Sequence, residues 1–139
     1  MLTLARKEYD DMIAHAKAGA PLEACGLLGG KMEGEGPAGH RTVSTFYPMS
    51  NPDQSPIHFT LDPKEQFHVM KEMRNRSEEL IGIFHSHVAS PPRPSAEDIR
   101  QAHYPGISYI LVSLMADPPT VRSYVIQEGK VTEEELTVR

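Results

Sequence analysis

Apolar residues recur at helical spacing in two long segments of the chain. The first segment is residues 3–18, and a glycine and a proline follow it as stop signals. The second begins at Asp62, a residue suited to the N-cap position, which is followed by proline at the first helical position. This second helix is predicted to extend to about residue 78. A third, shorter helix is predicted over residues 95–103.

Extended segments alternate with these helices. Residues 80–87 and 107–115 are apolar on both faces, a pattern typical of central strands that are covered by helices. Further strands are predicted at 24–31, 41–49, 57–61, 120–127 and 131–139, with a turn at 33–40 and a closing hairpin at the C-terminus. We therefore expect one α/β domain over residues 1–139, with a mixed central sheet flanked by helices.

Composition and charge narrow the classes of function. The formal net charge is −5 and no cluster of lysine and arginine is visible, which argues against a nucleic-acid partner. No apolar run approaches the roughly 20 residues that a membrane-spanning helix needs, so no membrane partner is expected. Cys25 is the single cysteine, which excludes an internal disulfide, and we interpret it as a small buried apolar residue. The cytoplasm is the expected compartment.

Two histidines end the strand LIGIFHSH at residues 80–87. Side chains alternate between the faces of a strand, so Ile81, Ile83, His85 and His87 are predicted to share one face, with Ser86 on the other. Two imidazoles at this spacing can reach one metal ion. An ordinary pair of histidines, each bonded to a carbonyl or water, is the alternative, although an apolar setting offers such a pair few partners.

A carboxylate follows a bend that contains three prolines. Ser95 and Asp98 are three residues apart at the start of the third helix, so they also match a capping box, and these two residues taken alone favour capping. An Asp98 that turns back on the helix start would be poorly placed to bind metal. With the two histidines, however, Asp98 completes a set of two imidazoles and one carboxylate, which is common in hydrolytic zinc sites.

A hydrolytic zinc site also needs a general base. Glu23, in the stretch PLEACGLLGG, precedes a buried strand and is the candidate. A solvated charge at the end of a strand is the alternative interpretation, and it would be preferred without the downstream motif.

The complete pattern resembles the JAMM (MPN-plus) metalloprotease family. Glu23 is followed by His85-Ser86-His87, then by Ser95 after seven intervening residues, and then by Asp98 after two intervening residues. The flanking stretches E-x-C-G-L-L-G at 23–29 and YPGISYILVSL at 104–114 are similar to that family as well, and the resemblance covers essentially the whole chain. Small bacterial members commonly carry proline directly after the second histidine, where this chain has a valine.

The resemblance implies a fold, a mechanism and a substrate. The fold is that of MPN domains, with a cytidine-deaminase-like architecture. His85, His87 and Asp98 would hold one Zn²⁺ per chain with a water ligand, Glu23 would act as general base, and Ser95 would donate to the oxyanion. The substrate would be a ubiquitin-like sulfur-carrier protein of the ThiS/MoaD kind, cleaved after its C-terminal Gly-Gly.

Three other functions remain open from the sequence. Some members of the family serve as non-catalytic interaction modules, although such members typically lose motif residues. RadC-like JAMM domains are associated with DNA but are longer. A zinc deaminase would need H-x-E and PCxxC ligands, and a chain with one cysteine lacks the second of these motifs.

Overall fold

The computed structural model describes residues 1–34 and 36–139. Its helices and strands follow one another in the order β1 (Leu2–Leu4), α1 (Arg6–Gly19), β2 (Cys25–Glu33), β3 (His40–Met49), α2 (Pro63–Asn75), β4 (Glu79–His87), α3 (Ala96–Arg100), β5 (Ser108–Ser113), β6 (Thr120–Gln127), β7 (Lys130–Glu134) and β8 (Leu136–Val138). The predicted turn at 33–40 contains residue 35, which lies outside the described residues. A single 3-10 turn at Gly36–Ala38 leads into β3.

The described strands form one mixed sheet in the order β7-β6-β5-β4-β2-β3-β1-β8. β4 lies in its interior, antiparallel to β2 and parallel to β5. The two segments that are apolar on both faces, β4 and β5, are therefore neighbours in the middle of the sheet. The prediction of an α/β domain with a mixed central sheet is confirmed.

Each face of the sheet is covered by a different helix. α1 packs on one face through Met12 and Ala16, in a cluster that includes Phe84. α2 packs on the opposite face through Met73, and Ile99 of α3 joins the same cluster. The end of β4 that carries the two histidines thus lies in the sheet, on the part that is covered by α2 and α3.

A bulge in β4 corrects one part of the predicted alternation. Ile83 packs in the cluster under α2, as the two-residue period predicts, but Ile81 packs on the α1 side. The pairing of β2 with β4 passes from Gly82 to Leu80, so Ile81 is the extra residue of the bulge and faces the other way. The prediction that Ile81 shares a face with Ile83 is therefore wrong.

The predicted strand at 57–61 is also wrong, because no strand within residues 1–34 and 36–139 pairs with this segment. Its main chain is bonded by the side chain of Asn51, which donates to the carbonyl of His58 at 3.0 Å and accepts from the N–H of Thr60 at 3.2 Å. A side-chain amide therefore satisfies groups that a neighbouring strand would otherwise satisfy.

Several element ends differ from the predictions. Leu4 belongs to β1 and not to the first helix, and α2 ends before residue 78, because Ser77 adopts a left-handed conformation with φ 57°. α3 ends at Arg100, since Ala102 closes a tighter turn onto Ile99.

The C-terminal hairpin is confirmed only in its first half. β7 pairs with β6, but β8 leaves the hairpin and pairs with β1, at the other end of the strand order. Along the chain, one residue separates β7 from β8. The two edges of the sheet therefore lie close together, and the sheet is curled.

A buried ion pair lies near this closure. Nη2 of Arg41 is 3.2 Å from Oε1 of Glu134, and both side chains are almost fully buried. Nε of Arg41 donates to Oγ of Ser108 at 2.7 Å, and Ser123 donates to the same glutamate at 2.7 Å. These bonds connect β3, β5, β6 and β7 across the curled end of the sheet.

The described helices are too short and too polar to cross a membrane.

Candidate metal centre and active site

The register between β2 and β4 brings Glu23 to the two histidines. Cys25 pairs with His85 in this antiparallel ladder, so continuing the count by two residues places Glu23 opposite His87. Residues that lie opposite each other on antiparallel strands share a face of the sheet. The three side chains that the sequence predicted as base and ligands, Glu23, His85 and His87, thus belong to one face, and all three are buried.

Three ligand atoms converge beside this face. Oδ2 of Asp98 lies 3.1 Å from Nε2 of His85 and 3.0 Å from Nε2 of His87, and the two nitrogens are 3.3 Å apart. Zinc bonds of about 2.0–2.1 Å in a tetrahedron separate neighbouring ligand atoms by roughly 3.3 Å. The three atoms therefore have the spacing and the chemistry of one zinc site, and they form a group that could hold a metal ion.

The same aspartate caps α3. The N–H of Ser95 donates to Oδ2 of Asp98 at 2.8 Å, and the N–H of Asp98 donates to Oγ of Ser95 at 3.0 Å, which is a complete capping box. An Asp98 that turns back on the helix start is expected from the sequence to be poorly placed for metal. That expectation is wrong as far as position is concerned, because the oxygen that accepts the capping bond is the one that faces both imidazoles.

The bend between β4 and α3 orients His87. Its Nδ1 donates to the carbonyl of Pro91 at 2.8 Å, so Nε2 is the ring nitrogen that faces His85 and Asp98. The bend itself is held by Ser113, which donates to the carbonyl of Ser90 at 2.6 Å, and by Tyr124, which donates to the carbonyl of Pro92 at 2.5 Å.

The main chain around Glu23 is fixed on both sides. Its N–H donates to the carbonyl of Ser55 at 2.8 Å, and its carbonyl accepts from Asn51 at 3.1 Å. The hydroxyl of Ser86, between the two histidines, accepts from the N–H of Ala24 at 2.8 Å. The carboxylate oxygen Oε1 of Glu23 is buried and has no hydrogen-bond partner among residues 1–34 and 36–139.

Burial and the neighbouring charges shift the protonation equilibria of the site. Burial raises the pKa of Glu23 to about 7, an effect that the His87 imidazole opposes and the Asp98 charge reinforces. Burial would also raise the pKa of Asp98, but hydrogen bonds from His85 and His87 hold it well below its usual range. Glu23 is thus the carboxyl of the site whose proton exchanges near neutral pH, whereas Asp98 stays ionised.

The two imidazoles shift in opposite directions. Burial lowers the pKa of His85, against the opposing effect of Asp98. Burial also lowers the pKa of His87, but its hydrogen bonds to Asp98 and to the Pro91 carbonyl outweigh this, so the net shift is upward. The lowered pKa favours the neutral form of His85, the form that binds metal, whereas the raised pKa of His87 favours its charged form in the metal-free site.

Ser95 lies at the exposed edge of the cluster. Its Oγ already accepts the N–H of Asp98, so its own proton is free to be donated to another group. Its predicted contact with an oxyanion stays a prediction.

Cys25 belongs to the core, as the sequence indicated. The side chain is fully buried, its Sγ donates to the carbonyl of Ser50 at 3.3 Å, and burial raises the pKa of the thiol to about 12. A thiol that stays protonated to such a high pH is neither a nucleophile nor a metal ligand under ordinary conditions.

A cavity of about 210 Å³ adjoins the cluster on the α2–α3 side and reaches His85 and Asp98. Its walls are mostly apolar and include Ile83, Tyr109 and Leu111. A molecule in this cavity would lie directly against two of the three candidate ligand side chains, His85 and Asp98.

Sequence reasoning missed several residues that build the site. Phe59 stacks on the ring of His85, the carbonyl of Pro91 orients His87, and Asn51 connects Glu23 to the segment that contains Phe59. A main-chain carbonyl has no signal in a sequence. Asn51 and Phe59 carry only the signals of a turn and of a strand, and neither points to a metal site.

Comparison with known proteins assigns the class to which this fold and site belong. Residues 5–127 match the family described as prokaryotic homologs of the JAB domain. The chain belongs to this family, and the resemblance that the sequence motif predicted is confirmed.

Individual relatives agree with the assignment. The chain is 40% identical to the CysO-cysteine peptidase of Mycobacterium tuberculosis over 129 residues, which cover 91% of this chain and 84% of the relative. It is 34% identical to the desampylase of Haloferax volcanii over 117 residues, which cover 81% of this chain and 80% of the relative. The solution structure of protein DSY2949 from Desulfitobacterium hafniense is similar with a TM-score of 0.90 and 45% identity, over 100% of this chain and 93% of that one.

Proposed function

We propose that this protein is a zinc-dependent peptidase that cleaves after the C-terminal Gly-Gly of a ubiquitin-like sulfur-carrier protein. The observation that carries the proposal is the convergence of Nε2 of His85, Nε2 of His87 and Oδ2 of Asp98, with the buried carboxylate of Glu23 on the same face of the sheet. We further propose that residues 1–139 act as one such domain and that it works in the cytoplasm.

The ligand set supports one Zn²⁺ per chain. Two imidazoles and one carboxylate are a usual protein contribution to hydrolytic zinc sites, which keep another coordination position open. When bound, zinc supplies Lewis-acid polarisation of a carbonyl and a lowered pKa for a water molecule. His85, His87 and Asp98 are the residues that would hold it.

Glu23 is proposed as the general base. A carboxyl group that is buried and has a pKa of about 7 exchanges protons near neutral pH, as a base that takes and returns a proton in one catalytic cycle must do. Its fixed main chain and its unpartnered Oε1 leave the carboxylate free for such an exchange.

Ser95 is proposed as the donor to the developing oxyanion. The capping bond occupies a lone pair of its Oγ and not its proton, so the residue can cap α3 and donate at the same time.

The choice of substrate rests on the family and on its relatives. The resemblance implies cleavage behind a C-terminal Gly-Gly, and one relative carries a name that joins a carrier to cysteine, the CysO-cysteine peptidase. The cavity beside His85 and Asp98 gives the residues around a scissile bond a place to bind. We propose that the leaving group is either a single amino acid or a short extension on the carrier.

The test is mass spectrometry of a ubiquitin-like carrier that is extended by several residues beyond Gly-Gly. Zinc-loaded protein should remove everything after the second glycine, whereas the Glu23→Gln variant should leave the carrier intact on the same time scale. A matched carrier with leucine in place of both glycines is the control for specificity. Equal cleavage of the two carriers would contradict the proposed substrate class.

Zinc binding is tested separately. Protein prepared without chelators or an affinity tag should contain one zinc per chain, and reconstitution of chelator-treated protein near neutral pH should restore it. The affinity should fall in acid, because only neutral imidazoles bind metal. Failure to bind zinc under these conditions would refute the assignment of the site.

A further inference from the structure

The two imidazoles of the cluster are supported in different ways. A histidine that binds metal usually donates its second ring nitrogen to a carbonyl or carboxylate, which fixes its tautomer and the plane of its ring. His87 follows this rule through the carbonyl of Pro91. Nδ1 of His85 is buried but has no hydrogen-bond partner in the described part of the chain.

An aromatic ring lies where this support is missing. The ring of Phe59 stacks on the imidazole of His85, with 4.6 Å between the ring centroids and 24° between the ring planes. The side chain of His85 is also flanked by its own sheet, since Cys25 and Leu111 pair with it on the two neighbouring strands. A stacked ring at this distance blocks rotation of the imidazole out of its plane.

The segment that carries Phe59 is held by two polar side chains, Asn51 and Asp53. Asp53 contacts the side chains of His58 and Thr60, the two chain neighbours of Phe59, and Asn51 bonds their main chain. Asn51 donates to the carbonyls of His58 and of Glu23, at 3.0 and 3.1 Å, and its Oδ1 accepts from the N–H of Thr60. Both chain neighbours of Phe59 are therefore bonded to the side chain that also holds the main chain of Glu23. The amide group of Asn51 therefore connects the segment of the aromatic ring to the main chain of Glu23.

We infer that Phe59 is a positioning residue for the metal centre, acting through His85. Its ring holds the imidazole in the orientation that directs Nε2 at His87 and Asp98, the task that a hydrogen bond to Nδ1 performs in other metal sites. Asn51 and Asp53 maintain this arrangement by fixing the segment around Phe59. The inference rests on the proposed function, because it concerns a ligand of the proposed zinc site.

The experiment compares zinc affinity across variants of Phe59. Phe59→Leu keeps an apolar side chain but removes the ring, and Phe59→Tyr keeps the ring. Phe67→Leu makes the same substitution at an exposed position on α2 and is the matched control. The dissociation constant of zinc is measured by competition with a chromophoric chelator, and the visible spectrum of the Co²⁺-substituted protein reports the geometry of the ligands.

Phe59→Leu should weaken zinc binding by a factor on the order of 10 to 100, the usual effect of removing an outer-shell partner of a metal ligand. It should also change the Co²⁺ spectrum. Phe59→Tyr and Phe67→Leu should match the wild type within about threefold. Asn51→Ala, which keeps the ring but removes one of the two supports of its segment, should shift affinity in the same direction as Phe59→Leu.

The outcomes separate this inference from the proposed function. If the wild-type protein binds no zinc, the proposed metal site itself is wrong. If the wild type binds zinc but Phe59→Leu binds it equally well with an unchanged Co²⁺ spectrum, the role of Phe59 is wrong and the site stands. Equal weakening by Phe59→Tyr and Phe59→Leu would also overturn the inference, because the ring would then not be what matters. The melting temperatures of the metal-free variants show whether any loss of affinity follows from unfolding.

Discussion

Oδ2 of Asp98 accepts the main-chain N–H of Ser95 and also faces Nε2 of both imidazoles, His85 and His87. This oxygen lies 2.8 Å from the Ser95 nitrogen and 3.0–3.1 Å from the two Nε2 atoms. The first turn of α3 thus places a carboxylate beside the end of β4, and the capping bond limits the rotation of that carboxylate. The consequence is that helix capping and ligand placement depend on each other.

Asp98→Asn is expected to lower zinc occupancy and peptidase activity together. The amide keeps an oxygen that can accept the capping bond, but it lacks the negative charge that a divalent cation requires in this ligand set. Zinc stoichiometry, cleavage rate and the melting temperature of the metal-free variant are measured side by side.

The neighbouring acid on the same helix offers a control for this variant. Glu97→Gln removes one negative charge from α3 without touching the cluster, since Glu97 pairs with Arg100, so it should retain zinc. Full zinc content and full activity in Asp98→Asn would show that Asp98 only caps its helix.

Glu23→Gln is expected to separate zinc binding from catalysis. The variant should bind zinc as the wild type does, because Glu23 is assigned as base and not as ligand. Its kcat/KM should fall by a factor on the order of 10² or more, the usual contribution of a positioned base.

In the wild type, kcat/KM should rise with pH through an acid limb at or below about pH 7, since a bound cation lowers the pKa of Glu23 that burial has raised. Unchanged activity in Glu23→Gln would exclude Glu23 as the base.

Ser95 can be tested for its two roles with a pair of variants. Ser95→Ala removes both the donor and the cap, and it should cost about 1 kcal/mol of stability, whereas Ser95→Gly should cost only a few tenths because glycine is tolerated at the N-cap. If the hydroxyl serves the oxyanion, both variants should lose on the order of 10²-fold in kcat with zinc retained. A loss of activity that follows the loss of stability, larger in alanine than in glycine, would assign Ser95 a structural role alone.

The central part of the site could be predicted from the sequence because it depends on simple periodicities. The two-residue period of β4 predicts that His85 and His87 share a face, and the spacing from Ser95 to Asp98 predicts the capping box. Both are local properties of a few consecutive residues. The same period fails at Ile81, because a bulge depends on the register of two strands and not on either strand alone.

Long-range partners could not be predicted in this way. The segment 57–61 has the composition of a strand, but the bonds that Asn51 offers replace those of a strand partner. β8 follows β7 by one residue and yet pairs with β1, since the curl of the sheet brings its edges together. Phe59 could not be identified as a neighbour of His85 for the same reason.

The buried pair of Arg41 and Glu134 is expected to be important for stability but not for zinc binding. Arg41→Met removes the guanidinium that lies 3.2 Å from a buried carboxylate, and breaking such a pair costs at most roughly 3–5 kcal/mol. The Met1 ammonium, 3.1 Å from the same oxygen, remains and should reduce this cost. The double variant with Glu134→Gln should recover part of this loss, because the buried group that lost the guanidinium is then uncharged. Chemical denaturation of the single and double variants measures the effect. Equal stability of Arg41→Met and the wild type would contradict the prediction.

The stability of the metal-free protein should depend on pH through Glu23. The pKa of Glu23 is about 7 in the folded chain, above its ordinary value of 4.5, so between these pH values the folded state binds more protons than the unfolded state. The contribution of Glu23 to the free energy of unfolding therefore falls as pH rises through this window, and above it the buried charge is a fixed penalty. Glu23→Gln removes this titration, so the variant should be more stable than the wild type at pH 8 and should lose that advantage as the pH is lowered toward 4.5.

Denaturant unfolding of both proteins after chelator treatment, at several pH values across this range, measures the difference in the free energy of unfolding. A difference that stays constant from pH 4.5 to pH 8 would mean that the carboxyl of Glu23 is not held in a protonated form by burial.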